Sequence, residues 1–392
     1  MKPAKFILPL IVFAQFCCTS LWFASNGILN ELIEVYQLPV SALGSLTSSV
    51  QLGFITGTLV FAALTLSDRF SPSKVFFVSA LLGALFNLMI IWGNHSFWSL
   101  NALRFSTGFC LAGIYPVGMK IAADYFDQGL GKSLGFLVGA LVLGTAFPHL
   151  LRGLSSAVPW EGIIIFTSVM ALAGGLSMVL FVPDGPFRRK SPSLQLSAFV
   201  KVFKNHGFRK AAFGYFGHMW ELYAFWALIP VLLKYYNDHS PYTPLNVSLL
   251  AFAIIAIGSL GCIIAGYASI RIGAKRTGFI ALLLSGLCCL ISPLIFETGP
   301  VFFIFFLLFW GFMVIADSPM FSTLVAHSAP KEFKGTALTI TNCIGFAITI
   351  GSIQLLTYLV QNVHPTYSYL VLAIGPLSGL LALSLKIDKT RY

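Results

Sequence analysis

Charge is what this sequence has least of. Only 9% of its 392 residues are Asp, Glu, Lys or Arg, against about a quarter in an ordinary soluble domain. That scarcity excludes a water-soluble globular class. Its seven cysteines (Cys17, Cys18, Cys110, Cys262, Cys288, Cys289 and Cys343) all fall inside apolar runs, and none has metal-ligand spacing. They read as small packing residues, neither disulfides nor a metal site. No phosphate-cradling loop of the Gly-x-x-x-x-Gly-Lys-Ser/Thr type is present, which argues against ATP-driven chemistry. No serine sits in a nucleophile-elbow context, so no enzyme reading survives, and no cofactor is expected. The first apolar run also lacks a small-residue cleavage site, so it reads as a retained membrane span.

What the chain has instead is hydrophobic mass: 57% of residues are apolar and 37 are Phe. Twelve apolar segments of bilayer-spanning length emerge, at 6–29, 41–66, 73–93, 98–124, 132–152, 160–182, 210–235, 246–270, 276–296, 300–327, 335–360 and 366–386. They predict an all-α membrane protein with 12 transmembrane helices in two pseudo-symmetric six-helix bundles, 1–182 and 210–392, joined by a linker at 183–209. The basic residues collect on one side. Lys2, Lys5, Arg69, Lys74, Lys132, Arg188, Arg189, Lys190, Lys201, Lys204, Arg209, Lys210, Arg271, Lys275, Arg276, Lys331, Lys334, Lys386, Lys389 and Arg391 all belong there, while the other side keeps Arg152 and Lys234 with Glu31, Glu34, Asp238 and Glu297. The positive-inside rule then makes both termini and the linker cytoplasmic. It also accounts for the net charge of +11 without any nucleic-acid partner.

The two halves repeat each other at a shift of about 200 residues. Leu64-Thr-Leu-Ser-Asp68-Arg69 with Lys74 aligns on Gly266-Tyr-Ala-Ser-Ile270-Arg271 with Lys275 and Arg276, and Arg69 falls on Arg271. Gly108 to Pro116 aligns on Gly311 to Pro319, and Trp22-Phe23-Ala24 on Leu222-Tyr223-Ala224. Six spans apiece make these parallel repeats, related by an axis along the membrane normal. Over nearly its whole length the chain thus resembles the major facilitator superfamily. The resemblance implies a conformational latch at the cytoplasmic gate built on Asp68 and Arg69, with Lys74, Arg271 and the Lys120–Asp124 pair joining it. Arg104-Phe-Ser-Thr-Gly108 resembles the family's Arg-x-x-x-Gly motif, whose Arg is associated with proton coupling or contact with a substrate anion. Gly135, Gly144 and Gly153 resemble, in part, the glycine motif of its proton-driven antiporters.

Against this duplicated scaffold the charges within the spans are asymmetric. His218 and Glu221 lie three residues apart, on one helical face of the seventh span. Glu221 matches Leu21 in the first half, Asp317 matches Ile114, and Arg104 matches Leu307 in the second. An ionisable group at membrane depth is costly and marks function by default. Glu221 is therefore the first expectation for a proton-coupling carboxylate, with His218 as its neighbour and relay, and Asp317 second. In the resembling family the first, fourth, seventh and tenth spans line the cavity. That implies cavity roles for Trp22, Tyr115, Trp220, Tyr223 and Trp226. Aromatics with acids would suit a cation and Arg104 an anion, so the charge of the substrate stays open. The expectation is a monomeric secondary transporter in a bacterial plasma membrane, with a small-molecule substrate, protons and the lipid bilayer as partners. Proton-coupled uptake leads, with efflux of amphipathic compounds and a non-transporting receptor or scaffold as alternatives.

Overall fold

Apolar side chains without polar interruption leave a membrane-embedded backbone one economical answer, the helix, which satisfies its own hydrogen bonds. The computed structural model describes residues 6–39, 41–126, 130–154, 158–188, 198–330 and 333–385, with backbone alone at 130–132 and 198–200. Lys2, Lys5, Arg189, Lys190, Lys331, Lys386, Lys389 and Arg391, counted above among the basic-side charges, lie outside the described residues, as does the side chain of Lys132. In the first half the principal helices are α1 (Ile7–Thr19), α2 (Leu29–Tyr36), α3 (Ala42–Ala63), α4 (Pro72–Leu88), α5 (Phe97–Leu111), α6 (Tyr115–Tyr125), α7 (Leu130–Leu154) and α8 (Trp160–Phe181). In the second they are α9 (His206–His239), α10 (Val247–Ile272), α11 (Ala274–Ile291), α12 (Pro300–Ala316), α13 (Ser318–Ser328), α14 (Lys334–Asn362) and α15 (Ile374–Ser384).

Among the described residues ten helical stretches are long and apolar enough to cross a membrane. The other two of the twelve expected spans are interrupted, and so is the tenth, each for a physical reason. In the fourth span Pro116 is the second residue of α6, and in the tenth Pro319 is the second of α13. Proline has no N–H for the carbonyl four residues back, so each helix stops and restarts there. The thiol of Cys262 lies 3.5 Å from one carbonyl so freed, that of Ile315. The first span departs most from one continuous run: α1 ends at Thr19, and turns carry the chain through Ser20–Ser25 before it becomes helical again.

The sequence repeat is also a repeat of packing. A Cβ added at Gly108 of α5 would stand 2.0 Å from the Val50 carbonyl of α3. One added at Gly311 of α12 would stand 2.0 Å from the Ile254 carbonyl of α10. Only glycine permits these two backbone crossings, and they are the same crossing in each half. Between halves, α3 packs on α14 and α7 on α10. The continuous core runs through both halves, from Ile7 to Leu383.

Candidate functional site

A cavity of about 720 Å³ lies between the halves. At the end of the bundle that carries the basic loops its wall includes the exposed Tyr267 and Ile270, with His327 and Lys334. At its blind end are Tyr115, Tyr215, Tyr223, Asn342 and Phe346.

An aromatic plug closes the blind end. Trp22 stacks on Tyr223 with ring centroids 5.8 Å apart and on Phe346 at 5.7 Å, while Phe54 lies 4.9 Å from Trp22 and 4.5 Å from Phe346. Phe23 and Tyr223 both meet Trp226, at 6.5 and 5.4 Å. Beyond the plug the halves are sealed: Gln354 donates to Ser48 at 3.0 Å, and Asn246 donates to the Gly153 carbonyl at 3.3 Å. The bundle is thus open at its basic end and shut at the other.

Arg104 belongs to this plug by a route the sequence did not reveal. Its guanidinium donates to the carbonyls of Leu21 and Trp22, at 3.2 and 2.5 Å. Those carbonyls lie in the non-helical stretch of the first span, where a membrane offers them no water. Arg104 is 1% exposed and stands outside the cavity wall. In this conformation the guanidinium fixes the turn that carries Trp22 and does not face the cavity.

The ionisable groups of the seventh span are also arranged differently from expectation. His218 and Glu221 share a helix but not a partner. His218 Nδ1 lies 2.7 Å from Asp317 Oδ1 across the break between α12 and α13, with both side chains wholly buried. Neither ring nitrogen of His218 and neither carboxyl oxygen of Asp317 meets a side-chain partner in hydrogen-bond geometry among the described residues, so the pair is a close polar contact. Glu221 turns the other way. Ser285 donates to it at 2.9 Å, Cys289 at 3.2 Å and Trp310 at 2.7 Å, joining α9, α11 and α12 within the second half. None of His218, Glu221 and Asp317 lines the cavity, although Met219, Leu222, Ser318 and Pro319 beside them do. A 100° step per residue explains the division, since successive helix positions cannot all face one lumen. Trp220 leaves the cavity for the same reason, donating to the Val371 carbonyl at 3.0 Å.

At the basic end Asp68 pairs with Lys120 at 3.1 Å, and Lys120 with Asp124 at 3.6 Å. Arg69 does not reach Asp124; its Nε donates to Thr65 at 3.2 Å. Arg69, Lys74 and Arg271 are exposed and join no ion pair among the described residues. Asp68 is instead met by the start of the linker, where Arg188 donates to the Asp68 carbonyl at 3.1 Å and the Phe70 carbonyl at 2.7 Å while pairing with Asp184. Sequence reasoning missed this strap and also Asn342, which accepts the Tyr215 hydroxyl at 2.8 Å. An amide in an apolar span was the available signal for Asn342. For Arg188 there was none, because a linker arginine reads simply as topogenic charge.

Duplicated membrane bundles around one central cavity, gated at its two ends, define a class of solute carriers. The family profile described as Major Facilitator Superfamily matches residues 11–352, and the chain belongs to that family. It is an integral membrane protein of a transporter family. Solved structures with the same fold include the human organic anion transporter MFSD10 (TETRAN), with TM-score 0.75 and 15% identity over 98% of this chain and 100% of that one. A mutant of the nucleoside transporter NupG gives TM-score 0.72 and 15% identity over 97% and 98%. A search of curated protein sequences finds no match.

Proposed function

We propose that the chain is a secondary active transporter that takes up a small organic solute together with protons by alternating access. Residues 1–182 and 210–392 are the two rocking bodies, and 183–209 tethers them. The positive-inside rule assigns the basic end to the cytoplasm, so the cavity opens inward and the aromatic plug is the outer gate.

The observation that carries the coupling is the His218–Asp317 pair. A buried contact between a carboxyl and an imidazole holds only while geometry and charge balance do. This one bridges a continuous helix, α9, to the break at Asp317, the point where the tenth span can bend. Ser318 and Pro319, next to Asp317, form cavity wall. Protonation of Asp317 removes the attraction and frees that break, so proton transfer and cavity shape are linked through one contact. Glu221, held by three donors, serves as the joint that keeps α9, α11 and α12 together.

Energised membrane vesicles containing the chain test this, with labelled organic anions, nucleosides and cationic dyes as a panel. The expected result is inward accumulation that a protonophore abolishes and that Asp317→Asn uncouples. Extrusion of a panel member would reverse the direction, and protonophore-insensitive movement would sink the coupling. Movement of none of the panel would favour a non-transporting role.

A further inference from the structure

The cavity wall contains no Asp or Glu, while Lys120, His327 and Lys334 all contribute to it. The three buried acidic and imidazole groups of the second half stand behind that wall. Lys120 is matched by Asp68 and Asp124, so the lumen carries no acidic group of its own to repel an anion, and Lys334 adds a positive charge to its wall.

Its blind end is rich in donors. The hydroxyls of Tyr115 and Tyr223 make no hydrogen bond among the described residues, yet both side chains line the cavity. Asn342 spends its carbonyl on the Tyr215 hydroxyl at 2.8 Å, leaving its amide N–H groups to the lumen. Tyr115, Tyr215 and Tyr223 all line this one cavity. Groups that donate hydrogen bonds at the closed end of a cavity favour a carboxylate or another oxyanion.

The wall around these donors is mainly apolar, with the hydroxyls of Ser269, Ser322, Thr323 and Thr339 elsewhere on the cavity surface, and this favours an apolar body over a solute polar on every side. Leu134, Val138, Leu141, Leu222 and Ile315 surround the approach to the donors. A nucleoside or sugar carries polar groups over its whole surface, and each one desolvated without a partner costs about a factor of ten in affinity. A ligand with one anionic head and an apolar body loses nothing there.

We propose that the cavity binds an amphipathic organic monoanion, with its oxyanion held by Tyr115, Tyr223 and the Asn342 amide and its apolar body against Leu222 and Phe346. This names the substrate class for the transport reading and rests on the same cavity. The anion site is separate from Arg104, whose guanidinium is committed to backbone carbonyls.

Binding to the purified chain in detergent tests it without requiring transport, so the two readings fail separately. The probes are 2-naphthoate, its neutral amide 2-naphthamide, uridine and tetraphenylphosphonium, followed by tryptophan fluorescence and thermal shift. The expected order puts naphthoate tightest, at least about tenfold below naphthamide in Kd, the scale of a charge-assisted hydrogen bond. The Tyr115→Phe/Tyr223→Phe double variant keeps the unliganded melting temperature and loses about tenfold or more of the naphthoate affinity. Equal binding of naphthoate and naphthamide, tighter binding of uridine or the phosphonium, no naphthoate binding, or an unaffected double variant would each overturn the assignment.

Discussion

The Cβ that Gly44 lacks would stand 3.4 Å from the Cβ of Thr357, and the two residues belong to opposite halves of the molecule. They meet beyond the aromatic plug, on the side away from the basic loops. On the alternating-access reading proposed above, rocking the halves open at that end must part α3 from α14.

That separation is close to the Cβ–Cβ distance of an ordinary disulfide. Gly44→Cys with Thr357→Cys should therefore cross-link under mild oxidant and lock the outer end shut. Transport in proteoliposomes should fall to background on oxidation and return on reduction. The seven native thiols are buried and free, so the parent chain supplies the control. An oxidised variant that still transports at the parental rate would show that the halves do not part there.

A second prediction concerns Arg104 and the turn that carries Trp22. Truncation to Ala leaves two carbonyls unsatisfied in hydrocarbon, each costing ~1–3 kcal/mol. Lysine keeps the charge but not the planar fork that reaches both oxygens. Both variants should melt earlier than the parent, and both should alter tryptophan emission as the Trp22 stack loosens. Binding of 2-naphthoate should change much less than the melting temperature. Unchanged stability together with lost anion binding would restore Arg104 as a direct ligand.

The contrast between these two sites shows what could be read from the chain. The all-helical membrane fold and the duplicated Gly108 and Gly311 positions were legible, because period, length and small residues at a fixed shift are sequence properties. The His218–Asp317 contact was half legible. Each residue stood out as ionisable at membrane depth, but their pairing depends on how α9 packs against the break at Asp317, a relation across about a hundred residues. Glu221 was singled out correctly as costly and read wrongly as a partner of His218. Its solution is three donors from other helices, and neither Ser285 nor Trp310 is distinctive by spacing. The cavity's lack of acids could not be seen at all until the helices were oriented, since Asp317 is adjacent in sequence to the wall residue Ser318.

The buried pair itself can be weighed by a double-mutant cycle. His218→Leu alone strands the Asp317 carboxylate, and loss of one partner from a buried pair costs about 3–5 kcal/mol. Pairing His218→Leu with Asp317→Asn removes the stranded charge and should recover most of that loss in thermal melts, while coupling remains absent. A double variant no more stable than His218→Leu would mean that the two groups do not interact.

Glu221 and Asp317 provide the last prediction, because the same chemical change should have opposite consequences at the two positions. Glu221→Gln keeps one carbonyl oxygen that can accept from Trp310 and Cys289, and its amide replaces the oxygen facing Ser285, whose hydroxyl oxygen can accept from it. It should lower the melting temperature by only a few degrees and leave proton-driven accumulation in place, whereas Glu221→Ala should destabilise strongly by opening a buried gap and orphaning the Trp310 N–H. Asp317→Asn should do the reverse, preserving the fold while uncoupling substrate movement from the proton gradient. Substrate counterflow, which needs no gradient, should survive in Asp317→Asn and show that the cavity still alternates. If Glu221→Gln instead abolishes coupling while Asp317→Asn leaves it intact, the proton resides at the three-donor joint, and the His218–Asp317 pair is only a structural brace.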